Sequence, residues 1–151
     1  MSFPLPPPMR IALDEALRAA QAGEVPVGAV VTRGEEIVAV AGNAMRDRSD
    51  PTAHAEMVAL RRAGERLGTS RLDECDLWVS LEPCAMCAGA IALARIRRLY
   101  FAAGDPKGGA VLHGPRLFQQ PTCHHAPEVY SGIGEEEAAA MLKAFFAARR
   151  D

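Results

Sequence analysis

The sequence has no excess of positive charge and no apolar segment long enough to cross a membrane. Its formal net charge is −2, from 17 Lys and Arg against 19 Asp and Glu. A protein that relies on non-specific attraction to phosphates needs a strong basic excess, so this class is excluded, whereas a small and specific nucleic-acid contact is not. A membrane-spanning helix needs about 20 consecutive apolar residues, and no such run is present. We expect no association with a membrane.

Cysteines are few, and no secretory leader is visible. The chain has four of them, Cys75, Cys84, Cys87 and Cys123. A disulfide framework requires an oxidising compartment. The proline-rich residues 1–10 lack the apolar segment of a signal peptide. We therefore expect a cytoplasmic protein whose reduced thiols are available for a metal.

The length and the pattern of apolar residues predict one domain over residues 1–151, with a flexible proline-rich start at 1–8. No internal repeat or linker is visible. Apolar periodicity predicts helices over 9–23, 51–67, 84–93 and 135–150, and strands over 25–32, 37–41, 77–81, 97–102 and 129–130. Residues 104–127 are predicted to be irregular. A hairpin followed by β-α-β units indicates a mixed sheet between layers of helices.

Three residues have the spacing of a metal site with an open position. His54 lies in the first turn of one predicted helix, and Cys84 and Cys87 lie in the first turn of the next, directly after a strand. One imidazole and two thiolates suit zinc, and the fourth tetrahedral position is left for a water that the metal activates. Glu56 lies two residues beyond His54, where its carboxyl can carry that water's proton. The sequence thus predicts zinc at His54, Cys84 and Cys87, with Glu56 as the catalytic acid and base.

Each half of this pattern has an ordinary interpretation when taken alone. A lone Cys-x-x-Cys is also half of a zinc ribbon or a redox pair, and a lone His-x-Glu is common on helix surfaces. A ribbon needs a second ligand pair, but Cys75 and Cys123 are isolated. His124 and His125 could supply a fourth ligand, although the chemistry needs that position for water. Together, His-x-Glu and Pro-Cys-x-x-Cys are the signature of zinc-dependent nucleobase deaminases.

Further segments make the chain resemble the bacterial tRNA-specific adenosine deaminases, which form inosine at the wobble position of the anticodon. The resemblance runs from about Met9 to the end of the chain. It is carried by Glu24-Val-Pro-Val-Gly-Ala-Val30, Gly42-Asn43, Asp50-Pro-Thr-Ala-His-Ala-Glu-Met57, Leu81-Glu-Pro-Cys-Ala-Met-Cys-Ala-Gly89, Ala94-Arg-Ile-Arg97, Asp105-Pro-Lys107 and Phe145-Phe146-Ala-Ala-Arg149-Arg150.

The resemblance implies a cytidine deaminase-like fold, α/β in class, with a mixed five-stranded sheet in a three-layer α/β/α arrangement. It implies a homodimer with one Zn²⁺ per subunit, and an anticodon stem-loop whose target base is flipped into the pocket. By position, Asn43 would hydrogen-bond the base, while Val25, Ala55 and Pro83 would line its pocket. The residues implied to contact the rest of the anticodon loop are Asp105, Lys107, Phe145, Phe146, Arg149 and Arg150.

Two other functions remain open from the residues themselves. The first is the same zinc chemistry on a free nucleobase or nucleoside, such as guanine or cytosine, because the zinc motif is shared by the whole superfamily. The second is a non-catalytic, zinc-stabilised module that binds nucleic acid. Glu56 argues against that module, since a structural zinc site has no use for a positioned proton carrier.

Overall fold

The computed structural model describes residues 4–149. Its elements follow one another in the order that the sequence predicts, with a short 3₁₀ turn at Leu117–Gln119 in the long loop. The strands are β1 (Gly28–Arg33), β2 (Glu36–Gly42), β3 (Asp76–Leu81), β4 (Arg98–Ala103) and β5 (Glu128–Ser131). The helices are α1 (Pro7–Gln21), α2 (Ala55–Leu67), α3 (Ala85–Ala94) and α4 (Glu135–Ala147).

The five strands form a single mixed sheet in the order β2-β1-β3-β4-β5. β1 pairs antiparallel with both β2 and β3. β3 and β4, and then β4 and β5, pair in parallel. The parallel half needs crossover connections, and α3 supplies the one between β3 and β4. This arrangement confirms the predicted mixed sheet of five strands.

Helices cover both faces of the sheet, which explains why its central strands are apolar almost throughout. Successive side chains of a strand point to opposite faces. Leu77 and Val79 of β3 therefore pack with α2 and α3, whereas Trp78 packs with α1 and α4. This confirms the three-layer prediction. Among residues 4–149, none of the helices has the length and the apolar character that crossing a bilayer requires.

Three elements begin more than one residue away from their predicted starts. α2 begins at Ala55 rather than at residue 51, because His54 is still extended. Proline explains the other two. β1 begins at Gly28 rather than at Val25, because Pro26 has no N–H for the sheet and the Val27 N–H donates instead to the Val25 carbonyl over 2.8 Å. α1 begins at Pro7 rather than after Pro8, since the first helical position needs no N–H donor. Of the segment 1–8 that was predicted to be flexible, residues 1–3 lie outside the described residues.

α2, the helix that follows His54, ends at Gly68 in a left-handed conformation with φ of 66°. A Cβ at this position would meet no atom within 4 Å, so a substitution there changes only the backbone energy. We expect Gly68→Ala to lower the free energy of unfolding by about 1 kcal/mol in urea titrations. Gly68→Asn should cost less, because Asn tolerates this conformation. Equal stability of Gly68→Ala and the wild type would contradict the expectation.

Candidate active site

Three potential metal ligands meet where α2 and α3 begin. His54 and Cys84 are the residues just before these helices, and both are extended, with φ and ψ of −68° and 152° for His54 and of −74° and 177° for Cys84. Cys87 lies in the first turn of α3 and is buried. The Nδ1 atom of His54 is 3.6 Å from the sulfur of Cys84 and 3.5 Å from that of Cys87.

The spacing of these atoms fits zinc. All three ligand atoms lie within 4.8 Å of one another, and no other such group occurs among residues 4–149. Tetrahedral bonds of about 2.3 Å to sulfur and about 2.0 Å to nitrogen separate a sulfur and a nitrogen ligand atom by about 3.5 Å. From the sequence, His124 and His125 could supply a fourth ligand. His125 instead contacts the backbone, with its Nε2 atom 2.7 Å from the Ile96 carbonyl oxygen. His124 is likewise not part of the group.

The surroundings of Cys84 favour a thiolate. A hydrogen bond from the Cys87 thiol lowers the pKa of Cys84 to about 5, and the nearby His54 adds to this effect. The same shared hydrogen bond raises the pKa of Cys87. Both cysteines lie at the positive end of α3, which stabilises negative charge on sulfur. Thiolates are the form in which cysteine binds metals.

Glu56 lies in the first turn of α2 with only 4% of its surface exposed. Burial raises the pKa of this carboxyl to about 7, and the negative charge of Cys84 contributes to the rise. Because His54 precedes the helix in an extended conformation, the two residues do not follow helical spacing. Both can therefore face the same pocket, and both line it.

The pocket has a volume of about 210 Å³. Besides His54 and Glu56, three residues that the resemblance implied, Val25, Asn43 and Asp105, line it. Asn43 is held by its own N–H, which donates to the Val27 carbonyl over 3.0 Å. The remaining lining residues are Val27, Met45, Leu81, Glu82, Cys84 and Gly108. The site thus combines a metal-binding cluster, a carboxyl and an amide around one small cavity.

Other residues implied to contact the substrate lie outside this lining. Ala55 and Pro83 are buried beside it, and Lys107 is exposed on the turn after Asp105. Phe145 and Arg149 border a separate groove against α1, where the Arg149 guanidinium lies 3.5 Å from the centre of the Phe145 ring. Phe145 is 8% exposed and Phe146 is 47% exposed, as expected of adjacent residues, which point in different directions around a helix. Arg150 lies outside the described residues.

Sequence reasoning did not single out several residues of the pocket wall, and Glu82 is the most informative of them. It is only 2% exposed, although charged residues are almost never buried without partners. Its position between an apolar strand and Pro83-Cys84 was a signal that could have been noticed. The partners of its carboxylate, however, are more than 20 residues away along the chain.

Comparisons with known proteins agree with this site. The family model of MafB19-like deaminases matches residues 7–150. A tRNA-specific adenosine deaminase of Agrobacterium fabrum is 55% identical over 142 residues, which cover 94% of this chain and 93% of that protein. One of Bacillus subtilis is 46% identical over 138 residues, which cover 91% of this chain and 86% of that protein.

Solved structures show the same relationship. One, from a study of adenosine-to-inosine editing by tRNA deaminases at the wobble position, superposes with a TM-score of 0.88 at 56% identity, over 89% of this chain and 98% of the other. A guanine deaminase of Bacillus subtilis superposes with a TM-score of 0.63 at 30% identity, over 95% and 92%. By the identity and coverage of these matches, the chain belongs to the tRNA-specific adenosine deaminase family.

Proposed function

We propose that this protein hydrolyses the wobble adenosine of a tRNA anticodon loop to inosine and releases ammonia. The observation that carries the proposal is the convergence of His54, Cys84, Cys87, Glu56 and Asn43 on one pocket. The family membership of the chain supports adenosine in tRNA as the substrate. We further propose a single deaminase domain and a cytoplasmic site of action.

His54, Cys84 and Cys87 would hold one Zn²⁺ per chain. Two thiolates and an imidazole are a preferred donor set for this ion. When bound, the ion supplies a Lewis acid that brings the pKa of water towards neutrality. The distances between the three ligand atoms support this assignment.

Glu56 would move the protons that the hydrolysis requires. Its carboxylate takes a proton from the attacking water and delivers it to N1 of the adenine ring as oxygen bonds to C6. The carboxylate then takes the proton of the C6 hydroxyl and gives it to the amino nitrogen. The C6–N bond breaks, ammonia leaves and the carbonyl of inosine forms. The burial of Glu56 supports this role, because bulk water does not compete for the protons.

Asn43 and the apolar wall would hold the flipped base. A side-chain amide has both a donor and an acceptor for the edge of a purine, and the apolar surfaces of Val25, Val27 and Leu81 suit its ring. Ala55 and Pro83 would support this wall from behind. Asp105 and the exposed Lys107 would meet the anticodon loop at the pocket edge. Phe145, Phe146, Arg149 and Arg150 would contact flanking nucleotides, and two chains would associate as a homodimer.

Deamination of a free purine base is the second candidate. The guanine deaminase of Bacillus subtilis has a similar structure, so the same scaffold accommodates that chemistry. The relatives with higher identity are tRNA enzymes, which favours the first proposal.

A substrate panel separates the two candidates. We expect inosine to form in an anticodon stem-loop that carries a wobble adenosine, with no ammonia released from free adenosine, guanine or cytosine. An identical stem-loop with adenosine moved one nucleotide along the loop is the matched control and should remain unchanged. Conversion of a free base with no reaction of the stem-loop would replace the proposed substrate and keep the chemistry.

A further inference from the structure

The carboxylate of Glu82 is enclosed by a segment that follows it by more than 20 residues. Its Oε1 atom accepts the N–H of Asp105 over 2.9 Å and lies 2.7 Å from Nδ1 of His113. Its Oε2 atom accepts the N–H groups of Val111, Leu112 and His113 over 3.0, 2.9 and 3.1 Å. The side chain of Glu82 has no exposed surface. One carboxylate therefore binds both ends of the segment 105–113.

The chain between these ends lies directly against the same carboxylate. A Cβ at Gly109 would be 2.4 Å from Cδ of Glu82 and 2.6 Å from the Asp105 carbonyl oxygen, so no larger residue fits without a shift. Gly109 donates its own N–H to that carbonyl over 2.9 Å. The segment lies outside the five strands of the sheet, so strand pairing does not supply acceptors for its N–H groups. Without the Glu82 carboxylate, the N–H groups that it binds would lose their acceptor, and each lost hydrogen bond would destabilise this conformation of the segment.

The segment 105–113 also forms one edge of the pocket. Asp105 and Gly108 line the cavity together with His54, Glu56 and Cys84. The Oδ1 atom of Asp105 accepts the N–H groups of Lys107 and Gly108 over 3.2 and 3.0 Å, which closes the turn that exposes Lys107. The N–H of Asp105 is bound by Glu82. A continuous chain of hydrogen bonds thus joins Glu82 to this edge.

We propose that Glu82 is a positioning residue for the substrate: its buried carboxylate holds the segment 105–113 so that Asp105 and Lys107 face the RNA and Gly108 closes the pocket. Glu82 does not touch the reacting atoms. The claim that Glu82 helps to bind the RNA rests on the proposed function. The claim that Glu82 orders the segment 105–113 does not depend on the substrate. Segment order and catalysis can therefore be measured separately.

Glu82→Gln is the central test, because an amide keeps the shape but presents an NH₂ group to N–H donors. We expect faster hydrogen exchange of the amides in 105–113, by at least about tenfold. For the stem-loop we expect kcat/KM to fall at least about tenfold, mainly through KM, because Glu56 and the metal ligands are unchanged. Zinc content should stay at that of the wild type.

Asp76→Asn is the matched control. Asp76 is the first residue of β3, whereas Glu82 directly follows the last. Asp76 is 6% exposed and accepts two hydrogen bonds from Arg97, of 2.9 and 2.7 Å. This change removes a charge from β3 without touching the segment. It should lower stability while KM and the exchange of 105–113 remain those of the wild type. An equal rise of KM in Asp76→Asn would overturn the proposal, because the effect would then follow from lost stability.

A double-mutant cycle with Asp105→Ala identifies the route of the effect. If Glu82 acts through the segment, Glu82→Gln should raise KM much less in the Asp105→Ala background than in the wild type. Additive effects, unchanged exchange of 105–113 or loss of zinc from Glu82→Gln would each overturn the inference.

If Glu82→Gln fails to fold, His113→Ala removes only the contact of a ring that is 39% exposed and should give smaller changes in the same directions. Should the wild type leave the stem-loop unreacted, the proposed function fails, and the exchange data alone still decide whether Glu82 orders the segment.

Discussion

Glu56→Gln is expected to reduce the single-turnover rate on the stem-loop by at least about 10³-fold, because an amide can neither accept nor deliver the protons of the reaction. Glutamine has nearly the same shape as glutamate, and the carboxyl it replaces is buried at the start of α2. The fold and the metal content should therefore remain those of the wild type. The rate is measured by the conversion of adenosine to inosine with enzyme in excess.

Glu65→Gln provides the control for this change on the same helix. Glu65 is exposed on α2 and lies outside the lining of the pocket, so its substitution should leave the rate within about twofold. If Glu56→Gln kept more than a tenth of the wild-type rate, another group would have to carry the protons. If it lost its zinc, Glu56 would be part of the metal site instead of a proton carrier.

Cys87→Ala is expected to lower the affinity for zinc by at least about 100-fold and to reduce deamination to the level of Glu56→Gln, because only two protein ligands would remain. Cys87 has no exposed surface and belongs to the cluster with His54 and Cys84. Metal content is measured by elemental analysis after dialysis, and we expect one zinc per chain in the wild type. A chelator should lower the unfolding temperature of the wild type but not that of Cys87→Ala.

Cys75→Ala is the matched control for the loss of a buried thiol. Cys75 is 1% exposed and does not belong to the metal cluster, so this variant should lose some stability and keep both zinc and activity. Equal loss of zinc from Cys75→Ala and Cys87→Ala would show that general destabilisation releases the metal. Full zinc content in Cys87→Ala would contradict the proposed ligand set.

The fold could be predicted from the sequence where local patterns are strong. β3 and β4 were placed within one residue of their bounds, because both are short apolar runs and are buried on both faces. The start of β1 was misplaced, since the apolar pattern continues through Val25-Pro-Val27 although Pro26 cannot join the sheet. This error matters for function, because Val25 and Val27, which precede β1 and were predicted to belong to it, line the pocket.

In the candidate site, too, the residues of short sequence motifs were predictable, whereas isolated residues with partners far along the chain were not. His54, Glu56, Cys84 and Cys87 form two short motifs, so the sequence indicated them directly. Asn43 and Asp105 were found by resemblance, since an isolated amide or acid has no pattern of its own. Glu82 was overlooked because most partners of its carboxylate are backbone N–H groups, which every residue type except proline supplies.

By itself the sequence indicated the deaminase chemistry that we propose for this protein and the class of its fold. Both are encoded in local features, namely the spacing of the metal ligands and the periodicity of apolar residues. Only the tertiary structure decided which atoms face the pocket and what holds its edge. The carboxylate of Glu82 binds a segment more than 20 residues away, and such a contact arises from the packing of β3, β4 and the following loop. No pattern of spacing along the chain encodes that packing, because it depends on how distant elements are brought together in space.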